Sequence, residues 1–209
     1  MDRHALAFRV RPGSEPAVAA LLGDYDPPVL AVDGSTHLLA TAVFMLGSLV
    51  VRAMEIEGDL GAVARHIASD PNVRRVESEL HRHLERPYDL ADPRGRQSFF
   101  RERLMRRLAH VEHAGADAPS IVHRVAVRYD LGDGGAEEAG RRLIASGPVP
   151  ERVGASRVLN ASLFAQGDDT LVRVIAGEGD VEERAGALAG SGARFRTILE
   201  RDALSLGRA

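Results

Sequence analysis

Apolar residues alternate with others over residues 5–11 and the stretch stops at Pro12-Gly13, a spacing that predicts a strand closed by a turn. Ser14 stands where a helix cap belongs, ahead of a helix over residues 15–23 whose Val18, Leu21 and Leu22 share one face. Two longer apolar runs, 38–46 and 49–57, flank Gly47-Ser48 and read as a hairpin. Asp59, and then Asp70 followed by Pro71, are start signals for two helices, the second carrying Val73, Val76, Leu80 and Leu84 as a buried stripe. A short closing strand is expected near residues 86–90.

The same script runs twice. Phe44-Met-Leu-Gly47 through Arg52 and Glu57-Gly-Asp59 returns as Phe164-Ala-Gln-Gly167 through Arg173 and Glu178-Gly-Asp180. The opening His4-Ala-Leu-Ala-Phe-Arg9 returns as His123-Arg-Val-Ala-Val-Arg128. The offsets are 119 residues at His4, 120 at Gly47 and 121 at Arg52, which points to a tandem duplication with small turn insertions. The second copy predicts strands at 122–129, 157–165 and 170–176, a helix near 137–145 and a helix from Asp180, where Glu183 approximates a capping box. Between the copies, Phe99, Phe100, Leu104, Leu108 and Val111 fall on a helical stripe, so residues 97–111 read as a linking helix and 115–119 as a hinge. The chain therefore divides as a first ferredoxin-like module over 1–95, a linker over 96–119 and a second module over 120–209. Strand-helix-strand-strand-helix order builds an antiparallel α+β sheet with its helices on one face. Because both strand faces are apolar, the expected solution is two sheets paired face to face, an intrachain dimeric α+β barrel with a pocket.

Composition narrows the chemistry. With a formal net charge of -3 and arginines spread along the chain, there is no basic stripe for nucleic acid. There is no cysteine, which removes disulfides and thiolate chemistry, and no lysine, which removes Schiff-base catalysis. The longest apolar run, 38–51, is split by Gly47-Ser48 and is too short for a bilayer, and no secretory signal opens the chain. The expectation is a cytoplasmic protein with no membrane partner.

Arg3-His-Ala-Leu-Ala-Phe-Arg-Val-Arg-Pro-Gly13, Leu39-Ala-Thr-Ala-Val-Phe44, Val51-Arg52, Glu57-Gly-Asp-Leu60 and Glu85-Arg-Pro-Tyr-Asp-Leu-Ala-Asp-Pro93 resemble the SchA/CurD-like family found with aromatic polyketide and spore-pigment gene clusters. The first half is also similar, more distantly, to tetracenomycin-type polyketide cyclases and the antibiotic-biosynthesis monooxygenases, which are dimeric α+β barrels. The resemblance implies an aromatic polyketide substrate and either oxygenation by O2 or ring closure, without flavin or metal cofactor. It also leaves room for a non-catalytic partner that shields a reactive intermediate. The chain has no Trp, a residue that several of the related monooxygenases place in the pocket. A monomeric pseudo-dimer and a homodimer are both compatible with the duplication.

His4, Tyr25, Asp26 and His37 are expected to gather at one end of the first module, where a histidine beside a carboxylate can take an enolic or phenolic proton. A strand-end histidine that is simply solvated is the competing reading. Arg52 and Arg173 sit mid-strand among apolar neighbours. Each either faces a cavity, where it can stabilise an enolate or phenolate, or pairs with an acid such as Glu55, Glu57 or Asp59. Arg52, with His4, Tyr25 and Asp26, is a candidate catalytic group; His37, Thr41, Arg9, Arg173 and His123 are candidate substrate contacts. The first copy is the favoured site, because Val149-Pro150 stands in the second copy where the first has Tyr25-Asp26. His81, His83, His110 and His113 have poor spacing for a metal, and Gly132-Asp-Gly-Gly135 reads as a turn rather than a phosphate loop.

Overall fold

Gly47 and Gly167 each sit at φ +54°, the left-handed conformation a tight hairpin needs, and around them the two apolar runs of each copy fold back in register. The computed structural model describes residues 1–25, 30–31, 35–89, 92–113, 122–181 and 192–202. In chain order the elements are β1 (Asp2–Arg9), α1 (Glu15–Gly23), β2 (Leu30–Ala31), β3 (His37–Leu46), β4 (Leu49–Glu57), α2 (Leu60–Ser69), α3 (Pro71–His81) and α4 (Pro93–Arg103). They continue with β5 (Arg106–Glu112), β6 (His123–Arg128), α5 (Gly135–Ala145), β7 (Arg152–Val153), β8 (Ser156–Gln166), β9 (Thr170–Glu178), β10 (Ala193–Arg194) and β11 (Arg196–Asp202). The fold class is α+β, with two antiparallel sheets and their helices. Among the described residues no helix is long and apolar enough to cross a membrane.

Two compact units form, Met1–Leu104 with Ile198–Ala209, and Met105–Thr197. The first sheet runs β1-β4-β3-β11, with β2 paired to β3; the second runs β10-β6-β9-β8-β5, with β7 paired to β8. Two expectations fail here. The 97–111 stripe is not one helix: α4 ends at Arg103 and Arg106–Glu112 is a strand on the edge of the second sheet. A β-bulge between Arg107 and Ala109 breaks the two-residue alternation of that strand, which is why its pattern imitates a helix. The strand expected near 86–90 is absent over 86–89; Leu84 makes only an isolated bridge to Val10, and the first sheet ends instead on β11. The hinge at 115–119 lies outside the described residues, as does most of the helix expected from Asp180.

Strand register corrects the repeat alignment. Arg52 pairs with Leu6 and Arg173 with Val127, so the first strands match at an offset of 121 and His4 corresponds to Val125, not to His123. Each copy also bears a bulge at the same place, between Leu38 and Ala40 and between Val158 and Asn160.

Sheet faces follow from this register. On β4 the even positions lie under the helices: Val50 shares a buried cluster with Val18 and Leu22 of α1 and with Val73 and Val76 of α3. Met54 and Ile56 share another with Val63 of α2. Ala5, Ala7, Ala42, Phe44 and Val51 occupy the opposite face and are fully or nearly fully buried as well. Helix starts are fixed by carboxylates: Asp59 accepts from the Gly61 and Ala62 amides, and Asp70 from those of Asn72 and Val73. Ser14 does not cap α1 through its side chain; its hydroxyl meets His83 Nδ1 at 3.1 Å.

Asp70→Ala is expected to lower unfolding stability by about 1 kcal/mol, and Asp70→Asn by much less, since an amide oxygen still accepts from the two amides. Urea unfolding of the two variants beside the parent checks this; equal losses would contradict the cap.

Candidate functional site

An arginine among apolar neighbours on the helix-covered face of a sheet is the unusual feature of each unit. Arg52 lies mid-strand on β4, opposite Leu6 of β1 and Val43 of β3. Its Nε donates to Thr41 Oγ1 at 3.1 Å, and the Thr41 hydroxyl lies 3.3 Å from the Ala53 carbonyl, to which it donates in turn. The guanidinium carbon stands 6.0 Å from the centroid of the Tyr25 ring, within cation-π reach. Arg52 Nη2 and Tyr25 Oη are both buried and make no well-formed hydrogen bond among the described residues, although the two side chains lie close enough for Arg52 to act on the phenol as a hydrogen-bond donor.

The acids expected to pair with Arg52 are engaged elsewhere. Glu55 faces Arg3 at 3.9 Å, Glu57 faces His37 at 3.6 Å, and Asp59 faces Arg65 at 3.6 Å while capping α2. Each buried polar atom left unpaired costs about 1–3 kcal/mol, and this wall holds two of them on side chains within cation-π reach of each other.

Tyr25 is only 5% exposed, and burial pushes its phenol above the usual tyrosine value. The neighbouring Arg52 pulls it partly back, through its charge and as a hydrogen-bond donor, while Asp70 and Glu77 push it up further. At neutral pH Tyr25 therefore keeps its proton and is a hydrogen-bond donor rather than a base.

The second unit repeats the arrangement with one part exchanged. Arg173 lies opposite Val127 and Leu163, the same register that Arg52 has, and its guanidinium carbon stands 5.3 Å from the centroid of the Tyr129 ring. Tyr129 comes from the residue after β6, at the place Phe8 holds in the first unit. Its Oη is buried without a partner and burial raises its pKa, with Arg173 opposing. Ala161 replaces Thr41, so among the described residues no hydroxyl clamps Arg173.

The other candidates scatter. His4 shares the helix-covered face, half-buried opposite Met54, one residue pair from the Arg52 row. His37 sits opposite Glu57, five residues from Arg52 and on the other face, so the expected gathering with Tyr25 does not occur. Arg9, opposite Leu49, also lies on the other face. His123 is exposed at the far end of β6, opposite Gly177 and about 13 Å along the strand from the Arg173 row. Asp26 lies outside the described residues.

Sequence reasoning missed Tyr129; the signal available was an aromatic residue two positions past the strand partner of Arg173. It also placed His110 and His113 on a helix. On β5, His110 Nδ1 meets Ser162 Oγ at 2.9 Å and its Nε2 lies 3.5 Å from Glu112, while the ring of His113, just past the strand, meets the Val149 carbonyl at 3.0 Å. Among the described residues no group of three His, Cys, Asp or Glu could hold a metal ion.

Residues 1–113 match the model of the SchA/CurD-like domain. The chain belongs to that family. The 42.8 kDa protein in the whiE locus of Streptomyces coelicolor is 38% identical over 98% of this chain and 52% of its own length. Polyketide synthase CurD of Streptomyces cyaneus is 40% identical over 100% of this chain and 57% of its own. Protein SchA of Streptomyces halstedii is 35% identical over 89% and 48%. This SchA/CurD-like chain thus spans about half the length of the curated relatives it matches. Among solved structures, a monooxygenase-like protein of Fusobacterium nucleatum is similar at a TM-score of 0.46 and 10% identity, covering 96% of this chain and 94% of that one. An anthrone oxidase-like protein is similar at a TM-score of 0.40 and 7% identity, covering 96% and 92%.

Spectrophotometric titration at the tyrosinate band, with Tyr25→Phe as the difference reference, should find Tyr25 ionising above about pH 10. Arg52→Gln removes the charge that lowers this pKa and should push it higher; Asp70→Asn should bring it down. Because the unfolded chain loses this proton first, the group's contribution to stability is complete below about pH 10 and fades as pH rises through the folded value. A Tyr25 that titrates at the ordinary value in the folded protein would contradict the burial argument.

Proposed function

We propose that this chain acts in aromatic polyketide biosynthesis as a cofactor-independent oxygenase, with Arg52 and Tyr25 as the pair that holds the oxygen anion of an enolised substrate. The observation that carries the reading is the meeting of two buried donors, Arg52 Nη2 and Tyr25 Oη, on one apolar wall, with Arg52 in no ion pair among the described residues. Such donors fit a group on which negative charge develops, and in a water-poor setting they act far more strongly than in bulk solvent.

The reaction then runs as follows. A substrate of anthrone type, with a CH2 between two aromatic rings and a carbonyl across the ring, loses a CH proton and its electrons move to the carbonyl oxygen. Arg52 and the protonated Tyr25 hold that oxyanion. The carbanion form reduces O2 and forms a C–O bond. Loss of water leaves a second carbonyl, so that CH2 plus O2 becomes C=O plus H2O and the substrate itself supplies the electrons. His4, on the same face and one residue pair along, is the candidate proton acceptor. Thr41 is a positioning residue: its hydroxyl fixes Arg52 through Nε and so aims the free Nη2.

Cyclisation of a poly-β-ketone would use the same anion-binding pair, and the polyketide synthase named among the relatives keeps that reading open. Turnover of a tricyclic anthrone by the purified chain under air and under argon separates the two. An oxygenase stalls without O2; a cyclase given its open-chain substrate does not. Arg52→Gln is expected to reduce kcat by about 10²–10³, the usual cost of losing one oxyanion donor. Tyr25→Phe should have a smaller effect in the same direction. Full activity in Arg52→Gln would reject the assignment.

A further inference from the structure

We infer that the second unit carries a ligand site of its own, built on Arg173 and Tyr129, that takes the same class of molecule as the Arg52 site: a planar phenolic or enolic polycycle in its anionic form. The inference rests on the reading of Arg52 and Tyr25 above and extends it to a second place in the chain.

The two copies keep one member of the pair and exchange the other. The arginine stayed at the same register of the same strand, opposite Val127 and Leu163 as Arg52 is opposite Leu6 and Val43. The aromatic partner did not stay. Tyr25 reaches Arg52 from the segment after α1, whereas Tyr129 reaches Arg173 from the end of β6, and a phenylalanine, Phe8, stands at that place in the first unit. If Tyr129 only filled space, phenylalanine would serve there without leaving a hydroxyl stranded. Instead Tyr129 is 5% exposed, its Oη is buried and unpartnered, and it sits beside a cation that forms no ion pair among the described residues. The surrounding cluster of Leu163, Leu171, Ala136 and Ala139 supplies apolar surface. A phenolate or enolate oxygen would give Tyr129 Oη an acceptor and Arg173 a counter-charge, satisfying both groups at once.

The test uses the full chain and 1,8-dihydroxyanthraquinone, whose absorption changes when its phenol ionises. Calorimetry should find two equivalents bound per chain. Arg173→Gln and Arg52→Gln should each leave one, and Tyr129→Phe should keep two but weaken one by about tenfold or more. Ligand bound to the parent protein should ionise at lower pH than free ligand, and Arg173→Gln should abolish that shift for half of it, a readout that a space-filling role would not move. One equivalent in the parent, lost in Arg52→Gln and unchanged in Arg173→Gln, overturns the second site and leaves the first standing. Two equivalents indifferent to both Arg173→Gln and Tyr129→Phe overturn it too, and no binding at all overturns both readings. Should Arg173→Gln fail to fold, Tyr129→Phe alone decides, because it removes one oxygen from the protein.

Discussion

A guanidinium held against an apolar sheet face under a layer of helices is the constraint from which the rest of the structure can be read. Arg52 is half-buried rather than sunk in the core, but a charge drawn out of water without a partner is still costly, and a partnered one contributes little to stability. Around Arg52 the chain sets two polar groups, the Thr41 hydroxyl and the Tyr25 phenol, while Glu55 and Glu57 stand on the opposite face of the sheet with Arg3 and His37, and Asp59 caps its helix beside Arg65. The apolar cluster of α1, α3 and the strand residues Val43 and Val50 then supplies the burial that offsets the expense. A fold optimised only for stability would put leucine there. On the reading proposed above, the two donors in that wall await an acceptor.

Register gives the duplication its physical content. A bulge between Leu38 and Ala40 recurs between Val158 and Asn160, and arginine recurs at the same rung of β4 and β9. Because side chains alternate faces with a period of two, a slip of one residue would have sent one arginine to the opposite face, so the shared rung is a strong restriction. Elsewhere the copies drifted. On the face away from the helices, Arg3 meets Glu55 in the first unit, whereas Arg124 is opposite Ala176 in the second. Where the first unit has Ala40 and Ala42, the second has Asn160 and Ser162, with Ser162 bonded to His110.

Much of the fold was legible because it is local. Hairpins with glycine turns, the aspartate caps at 59 and 70, and the alternation of β4 and β9 follow from rules that act within a few residues. What was not legible is what depends on distant pairing. No local pattern says that residues 196–202 complete the first sheet, and the bulge at Arg107 and Ala109 disguised a strand as a helix. The candidate site divides in the same way. Arg52 stood out as a charge in an apolar run, and its Thr41 contact needed only the hairpin register. The matched histidines did not survive as a signal, because counting residues from His4 to His123 ignores the two positions by which the first strands are shifted. Tyr129 escaped notice because it lies beyond the motif that repeats.

The two arginine–tyrosine pairs are alike in chemistry and unlike in stiffness, and that difference bears on what each can do. Arg52 is pinned through Nε to a hydroxyl that is itself tied to the Ala53 carbonyl, so its free nitrogen has a defined aim. Arg173 has Ala161 where Arg52 has Thr41, and among the described residues it has the ring of Tyr129 to lean on. Transition-state stabilisation depends on donors already in place when charge develops, because reorienting them costs the energy they would otherwise give. Equilibrium binding tolerates such rearrangement, at some loss of affinity. Asp70 and Glu77 add a second asymmetry, since they hold the Tyr25 phenol more firmly to its proton, while the Tyr129 shift has only burial behind it. On the proposed reading, this difference would make the first unit the one prepared for chemistry and the second better suited to holding a ligand than to transforming it.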